Sequence, residues 1–466
     1  MEVGLSGGID GGRLDRGWLK PTTIRFFLCL GEPMNRSFFL CRDFQVVAIF
    51  IVIACAGRAP AEDAPVSWGQ FRGVQSSGMA APSSTSVPST WSDTENLLWK
   101  AALPGRGSSS PVVSGDRVFL TAYSGYGVSV EAPGNFDELR LHVLCLSLGS
   151  GKILWDQKFE PDPAEQPIAK RVAEHGYASP TACLDDKNVY ASFGPSGVIA
   201  LTQDGEFLWR RTVGEGTAGF GAAASPIVFE DLVIMNASIE DDAVYGISKS
   251  TGEVRWRTEE ITRAWTTPTL MKLDDGPTEM VLNQKGAILG LNPRTGERLW
   301  KCQAIQDYVV PCVIADGRTL YCSGGRSNMT FCIEAGGRGD VSDSHLNWDV
   351  SRGANVTSPV LDDGYLYWSH DKAIALCIRA SDGQEMFRER LPTRSRVYAS
   401  IIGDGEKLFL TTRDAGVVVL ASKPEYQELA INRIGTQSER FNATPAIIGG
   451  KLLLRSDTTL YCIAKL

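Results

Sequence analysis

Long hydrophobic runs are nearly absent from this 466-residue chain, and so are the residues most hydrolases depend on. It carries 4 histidines, and no H-E-x-x-H. There is no Walker loop and no G-x-G-x-x-G opening a helix; beyond residue 61 there is no G-x-S-x-G. Zincin, P-loop, dinucleotide and serine-hydrolase chemistry therefore lack their carriers. No C-x₂₋₄-C pair exists for zinc, and no D-x-[DN]-x-[DN]-G loop for calcium. No metal site is expected. A net charge of -8 argues against nucleic acid as a partner. Helical periodicity does not survive beyond a turn or two.

One apolar run stands out, Phe44 to Ala56. It is short for a membrane span, which needs roughly 20 residues. Arg36 and Arg42 precede it and small residues follow, the pattern of a secretory signal. The charged region is natural only if the signal begins at Met34. Residues 1–33 therefore read as a non-native leader or mis-assigned start, 34–61 as signal peptide and 62–466 as the mature chain. Ala59-Pro60-Ala61 offers a cleavage site, while Val52-Ile53-Ala54-Cys55 offers a loose lipobox with Cys55 as the lipidated residue. The expected location is extracytoplasmic, secreted or lipid-anchored to the envelope, without a membrane span and as a monomer.

What is present is a repeat. Short strands open at Ser110-Pro111, Ser179-Pro180, Ser225-Pro226, Thr267-Pro268, Val310-Pro311, Ser358-Pro359, Ser400-Ile401 and Thr444-Pro445. Beyond a long first unit, the steps recur every 42–48 residues. Each is followed by an Asp/Gly turn, a second strand, a third strand, and a Gly turn with an aromatic four residues on. Gly151 and Trp155, Gly205 and Trp209, Gly252 and Trp256, and Gly296 and Trp300 show it. Four short strands repeated at this period predict an all-β, eight-bladed β-propeller of four-stranded antiparallel blades. The last repeat stops after three strands, and Leu97 to Leu103 has fourth-strand character. The N-terminal strand is thus expected to close the last blade and hide two edges.

The repeat absorbs many residues that look functional. Trp99, Trp155, Trp209, Trp256, Trp300 and Trp348 share one slot and are expected to pack between blades. Cys145, Cys377 and Cys462 share a third-strand slot that other blades fill with Ala200, Gly246 and Gly290, a tight buried site. Cys302, Cys312, Cys322 and Cys332 are ten apart, and a disulfide among them is one reading.

The candidate ligand site is the channel mouth, where loops enter the innermost strands. Counting back from each step collects Arg106, His175, Tyr177, Arg263, Trp265, Tyr308, Arg396, Tyr398, Arg440 and Asn442. Aromatic faces and forked guanidinium donors suit a polar or anionic ligand. The competing reading is ordinary loop polarity with arginines lying over blade edges. No catalytic residue is assigned; His175 beside Glu174 is the sole base–orienter neighbourhood.

The stretches from Leu291 to Trp300 and from Ile247 to Trp256 resemble the blade motif of the pyrroloquinoline-quinone (PQQ)-like β-propeller family, over about residues 66–466. Trp68-Gly69-Gln70-Phe71-Arg72-Gly73 looks like the W-x-x-F-R-G opening of its secreted bacterial members. The resemblance implies one of two functions. Quinoprotein alcohol dehydrogenases of this fold use a vicinal Cys-Cys pair and a calcium beside a catalytic Asp. Neither is found here, so no cofactor is expected and PQQ lacks residue support. Non-catalytic members, such as the propeller lipoprotein of the outer-membrane β-barrel assembly machinery, imply a scaffold for envelope or secreted proteins or for a small ligand. The alternative is a PQQ-dependent dehydrogenase with an atypical site.

Overall fold

The computed structural model describes residues 67–129, 131–167, 174–273 and 276–466. The leader, the signal segment and Cys55 lie outside the described residues. Eight sheets form eight blades whose four core strands are antiparallel; the first seven run inside to outside in chain order, and the eighth takes its outer strand from the N-terminal segment. The third blade is representative: Ile227–Phe229, Leu232–Ala237, Ala243–Ser248 and Val254–Thr258. Its two middle strands are buried at every position because both faces pack on neighbouring blades. In the outer strand only Trp256 is buried. The eighth blade pairs Leu97–Ala102 with Thr459–Ile463, as the sequence predicts.

The tryptophan slot works between blades. Each ring faces a small residue across its own sheet: Cys145 opposite Trp155, Ala200 opposite Trp209, Gly290 opposite Trp300, Cys462 opposite Trp99. Except at Trp300, its other side meets the turn glycine of the next blade. A Cβ on Gly252, which has φ +72°, would sit 2.7 Å from Trp209, and Gly151 and Gly383 stand in the same relation to Trp99 and Trp348. The Gly turn and the aromatic are therefore partners across a blade seam. The indole N–H of Trp99, Trp155, Trp209 and Trp348 donates to a carbonyl of the following blade, at Leu148, Gln203, Lys249 and Ala380. Burying such a ring is worth roughly 4–6 kcal/mol before entropy costs.

Two register details differ from the sequence reading. In six blades the residue two before the first ladder pair is the step residue, as Ser110 is to Val112. In the second and fifth blades that residue is Thr181 or Cys312, because the first pairs are Cys183–Tyr190 and Ile314–Tyr321. Proline marks the approach there, not the step. The cysteines Cys302, Cys312, Cys322 and Cys332 are buried and free, so the disulfide reading is set aside.

Residues 67–80 form a strap across the channel. Ser67–Trp68 adds to the innermost strand of the first blade. The Leu184 N–H of the second blade donates to Gly69 O at 2.8 Å. A turn at Val74–Ser76 reaches Thr269–Lys272 of the fourth blade. Gly78 and Ala80 then bond Gly403 of the seventh.

Candidate functional site

The step residues form a belt around the channel. The Ser110 N–H donates to Thr181 Oγ1 (2.9 Å), Thr181 N–H to Ser225 Oγ (2.9 Å) and Ser225 N–H to Thr267 Oγ1 (3.0 Å). The pattern continues from Cys312 N–H to Ser358 Oγ, Ser358 N–H to Ser400 Oγ and Ser400 N–H to Thr444 Oγ1, each 3.0 Å. At the fifth blade a thiol replaces the hydroxyl, and the Thr267 backbone meets Cys312. From the first blade to the eighth, each is thus joined to the next by a side chain that also faces the lumen. Among the described residues, Ser110, Thr181, Ser225, Ser400 and Thr444 donate no hydrogen bond through their hydroxyls.

Above the belt lies a cavity of about 490 Å³, within the usual range for small-molecule sites. All eight blades contribute to its wall, and Phe71 of the strap lies against it from below. Beside Phe71 the strap is anchored by Arg72, which is fully buried. Its guanidinium donates to the carbonyls of Ser76 (3.0 Å), Ser77 (2.9 Å), Ser358 (3.0 Å) and Pro359. No carboxylate pairs with it among the described residues. Burial without a counter-ion lowers its pKa to about 10. A second fully buried guanidinium, Arg455, ties the eighth blade to the first through Ser109 O (2.7 Å) and Thr121 O (2.8 Å). Burial lowers its pKa to about 9.

Six of the ten sequence-predicted residues line this cavity: His175, Trp265, Tyr308, Arg396, Tyr398 and Asn442. Trp265 and Tyr308 meet edge to face at 5.9 Å, with Phe220 6.1 Å from each. Trp265 Nε1 donates to Gly221 O (2.8 Å), and Arg396 Nη1 to the Tyr398 hydroxyl (2.9 Å). His175 is held neutral, since burial lowers its pKa to about 4. Its neighbour Glu174 pairs with Arg413 instead, so the two do not form a base and orienter.

The other four are placed elsewhere. Arg106 turns to Asp457 at 2.6 Å, and Arg440 faces Asp414 at 3.9 Å. Arg263 sits in a left-handed turn, outside the cavity lining. Tyr177 packs against Tyr123 and lines a smaller cavity of about 80 Å³ with Glu165 and Glu240. Its displacement follows from the two-residue register slip, which makes Ser179 the wall residue of the second blade. The sequence reading missed Phe71 and Arg72 as site residues, although the W-x-x-F-R-G segment marks them. Asp371 and Asn355 also line the cavity and carried no signal.

A family model described as outer membrane protein assembly factor BamB matches residues 140–389. Among solved structures, BamB from Moraxella catarrhalis superposes with a TM-score of 0.55 at 12% identity, over 78% of this chain and 98% of that one. A europium-containing methanol dehydrogenase gives 0.58 at 11%, over 86% and 98%. Quinohemoprotein alcohol dehydrogenase from Comamonas testosteroni gives 0.59 at 13%, over 86% and 81%. At these identities the likeness is one of fold. No curated protein matches the chain.

Proposed function

The chain belongs to the family described as outer membrane protein assembly factor BamB, and on that premise we propose that it is a non-catalytic, extracytoplasmic binding propeller that takes a ligand in its channel. The observation that carries this reading is the cavity itself, walled by rings and hydroxyls and backed by the strap. The carboxylates on its wall are engaged by groups behind it: Glu174 by Arg413, and Asp371 by His370 at 2.7 Å. That leaves a surface suited to binding, without a nucleophile beside a base.

Dehydrogenase chemistry in this fold needs a quinone, and the residues do not fit one. PQQ is a multiply charged anion, whereas the wall offers one arginine, Arg396, among the carboxylates Glu174 and Asp371. No three candidate metal ligands cluster among the described residues. No adjacent cysteine pair is present. Incubating the pure protein with PQQ and calcium, then assaying dye reduction with alcohols and sugars, tests the reading. No turnover is expected. A ligand screen by thermal shift should give hits that Trp265→Ala and Tyr398→Ala lose. Steady dye reduction would overturn the proposal.

A further inference from the structure

We propose that the base of the channel is an anion seat, which receives the carboxylate of a small organic acid while the acid's apolar body rests against Trp265 and Tyr308. This rests on the channel being a ligand site. Two independent features lead to it.

The first is the belt. Its hydroxyl oxygens, Ser110 apart, each accept a backbone N–H from the adjoining blade. That use fixes the oxygen and leaves the hydroxyl protons of Thr181, Ser225, Ser400 and Thr444 without an acceptor among the described residues, and the Ser110 hydroxyl beside them donates to none either. These protons belong to side chains lining one lumen. Donors converging from around a ring, with no acceptor of their own, suit a group that accepts from several directions. A carboxylate does so, and its hydrogen bonds with hydroxyls are stronger than those of a neutral group.

The second is charge. Arg72 holds its guanidinium against Ser358 O, the carbonyl of a belt residue, and Cys312 is the ionisable neighbour that acts on it. Its partners are backbone carbonyls, which cannot cancel a full charge. Arg455 binds Ser109 O beside the belt residue Ser110 and has the same kind of partners. Its charged neighbour Asp457 is already paired with Arg106. Two buried positive charges therefore lie behind the belt, in a medium where such fields are weakly screened. The carboxylates Glu174 and Asp371 lie on the same wall, with Arg396. With those carboxylates already paired to Arg413 and His370, the uncompensated positive charge stands at the base, and that is where one negative group is favoured. The rings of Trp265, Tyr308 and Phe220 offer the apolar body its surface.

Isothermal titration of the full folded chain with benzoate, benzamide, acetate and inorganic phosphate separates the parts. Site occupancy is read as the tryptophan emission change that Trp265→Phe removes. Benzoate is expected to bind at least about tenfold more tightly than benzamide, the least a charge-assisted hydrogen bond supplies. It should also outcompete acetate and phosphate. Ser400→Ala with Thr444→Val should weaken benzoate about fivefold or more and benzamide by clearly less, in a protein that still melts cooperatively. Benzamide binding as tightly as benzoate would overturn the anion seat yet leave the channel as a ligand site. Phosphate binding more tightly than benzoate would overturn the organic-acid assignment. Silence from every probe would remove the seat, and silence across the ligand screen as well would remove the channel reading with it.

Discussion

Gly290→Ala isolates what the small third-strand slot does. A Cβ on Gly290 would lie 2.0 Å from Trp300 Cε2 and 2.1 Å from Nε1, so the indole must leave. Elsewhere that motion has somewhere to go. In blades with Cys or Ala at this slot the indole points outward and bonds the next blade, as Trp209 bonds Lys249 O at 2.8 Å. The matching carbonyl for Trp300 is Ala335 O, which already accepts from Arg318 Nη2 at 2.9 Å. Trp300 Nε1 instead donates to Glu279 Oε2 at 2.7 Å, and Glu279 is 0% exposed. Moving the ring strands that buried carboxylate oxygen, at about 1–3 kcal/mol. It also returns part of a ring's burial to solvent, at about 2 kcal/mol for a third to a half of it. The expected loss is about 3–5 kcal/mol by guanidinium unfolding followed by circular dichroism. Alanine for glycine in a strand ordinarily stabilises by reducing unfolded-state freedom, so the sign itself is diagnostic. Ala200→Gly, in a blade whose ring already points outward, should lose only about 1 kcal/mol. A Gly290→Ala protein within about 0.5 kcal/mol of the parent would refute the reasoning.

The Glu240 carboxyl is raised to about 7 by burial, with Glu165 adding to the rise. The native state therefore holds a proton that the unfolded chain releases near pH 4.5, so stability should fall between about pH 4.5 and 7 and level off above. Glu240→Gln should remove that slope and gain up to about 3 kcal/mol at pH 8, read from urea midpoints at pH 5 and 8; equal slopes in both proteins would count against the assignment. Arg72→Met leaves four carbonyls without their donor. It should destabilise by about 3 kcal/mol and expose the strap to proteolysis before the blades are cut; simultaneous cutting would show that the strap is not separately held. Removing residues 62–103 takes away the strap and the outer strand of the eighth blade, and should abolish cooperative melting.

The blade count, the closing strand and the tryptophan slot are legible in the sequence because each is a local pattern repeated at one period. The site is less so. Ser179-Pro180 and Val310-Pro311 look like the other steps, yet the belt passes through Thr181 and Cys312. The belt is a set of bonds between residues more than forty positions apart, which no local pattern encodes. The arginines fail for a similar reason. Arg106 and Arg440 count as mouth cations until the fold brings Asp457 and Asp414 to them. Conversely, Arg72 looks like one more residue of an N-terminal motif until the strap carries it across the channel to Ser358.

The strap and the segment after it also explain why the seventh blade does without an aromatic in the shared slot. There Ala430 faces Val419, a larger residue opposite a smaller one, the reverse of the other blades. The seam is filled from outside the repeat. Trp91, which is 3% exposed, packs on Phe409 of that blade with ring centroids 6.3 Å apart. It is held by Asn432, whose side chain accepts from Trp91 N–H at 2.9 Å and donates to Ser89 O at 2.8 Å. One N-terminal segment thus backs the channel with Phe71, supplies the missing ring with Trp91 and completes the eighth blade with Leu97–Ala102. Packing at the last seams and the form of the ligand cavity consequently depend on the same stretch of chain. Any ligand that presses on Phe71 acts on a segment continuous with the closure of the ring, so occupancy of the channel and stability of the seventh and eighth blades should be linked.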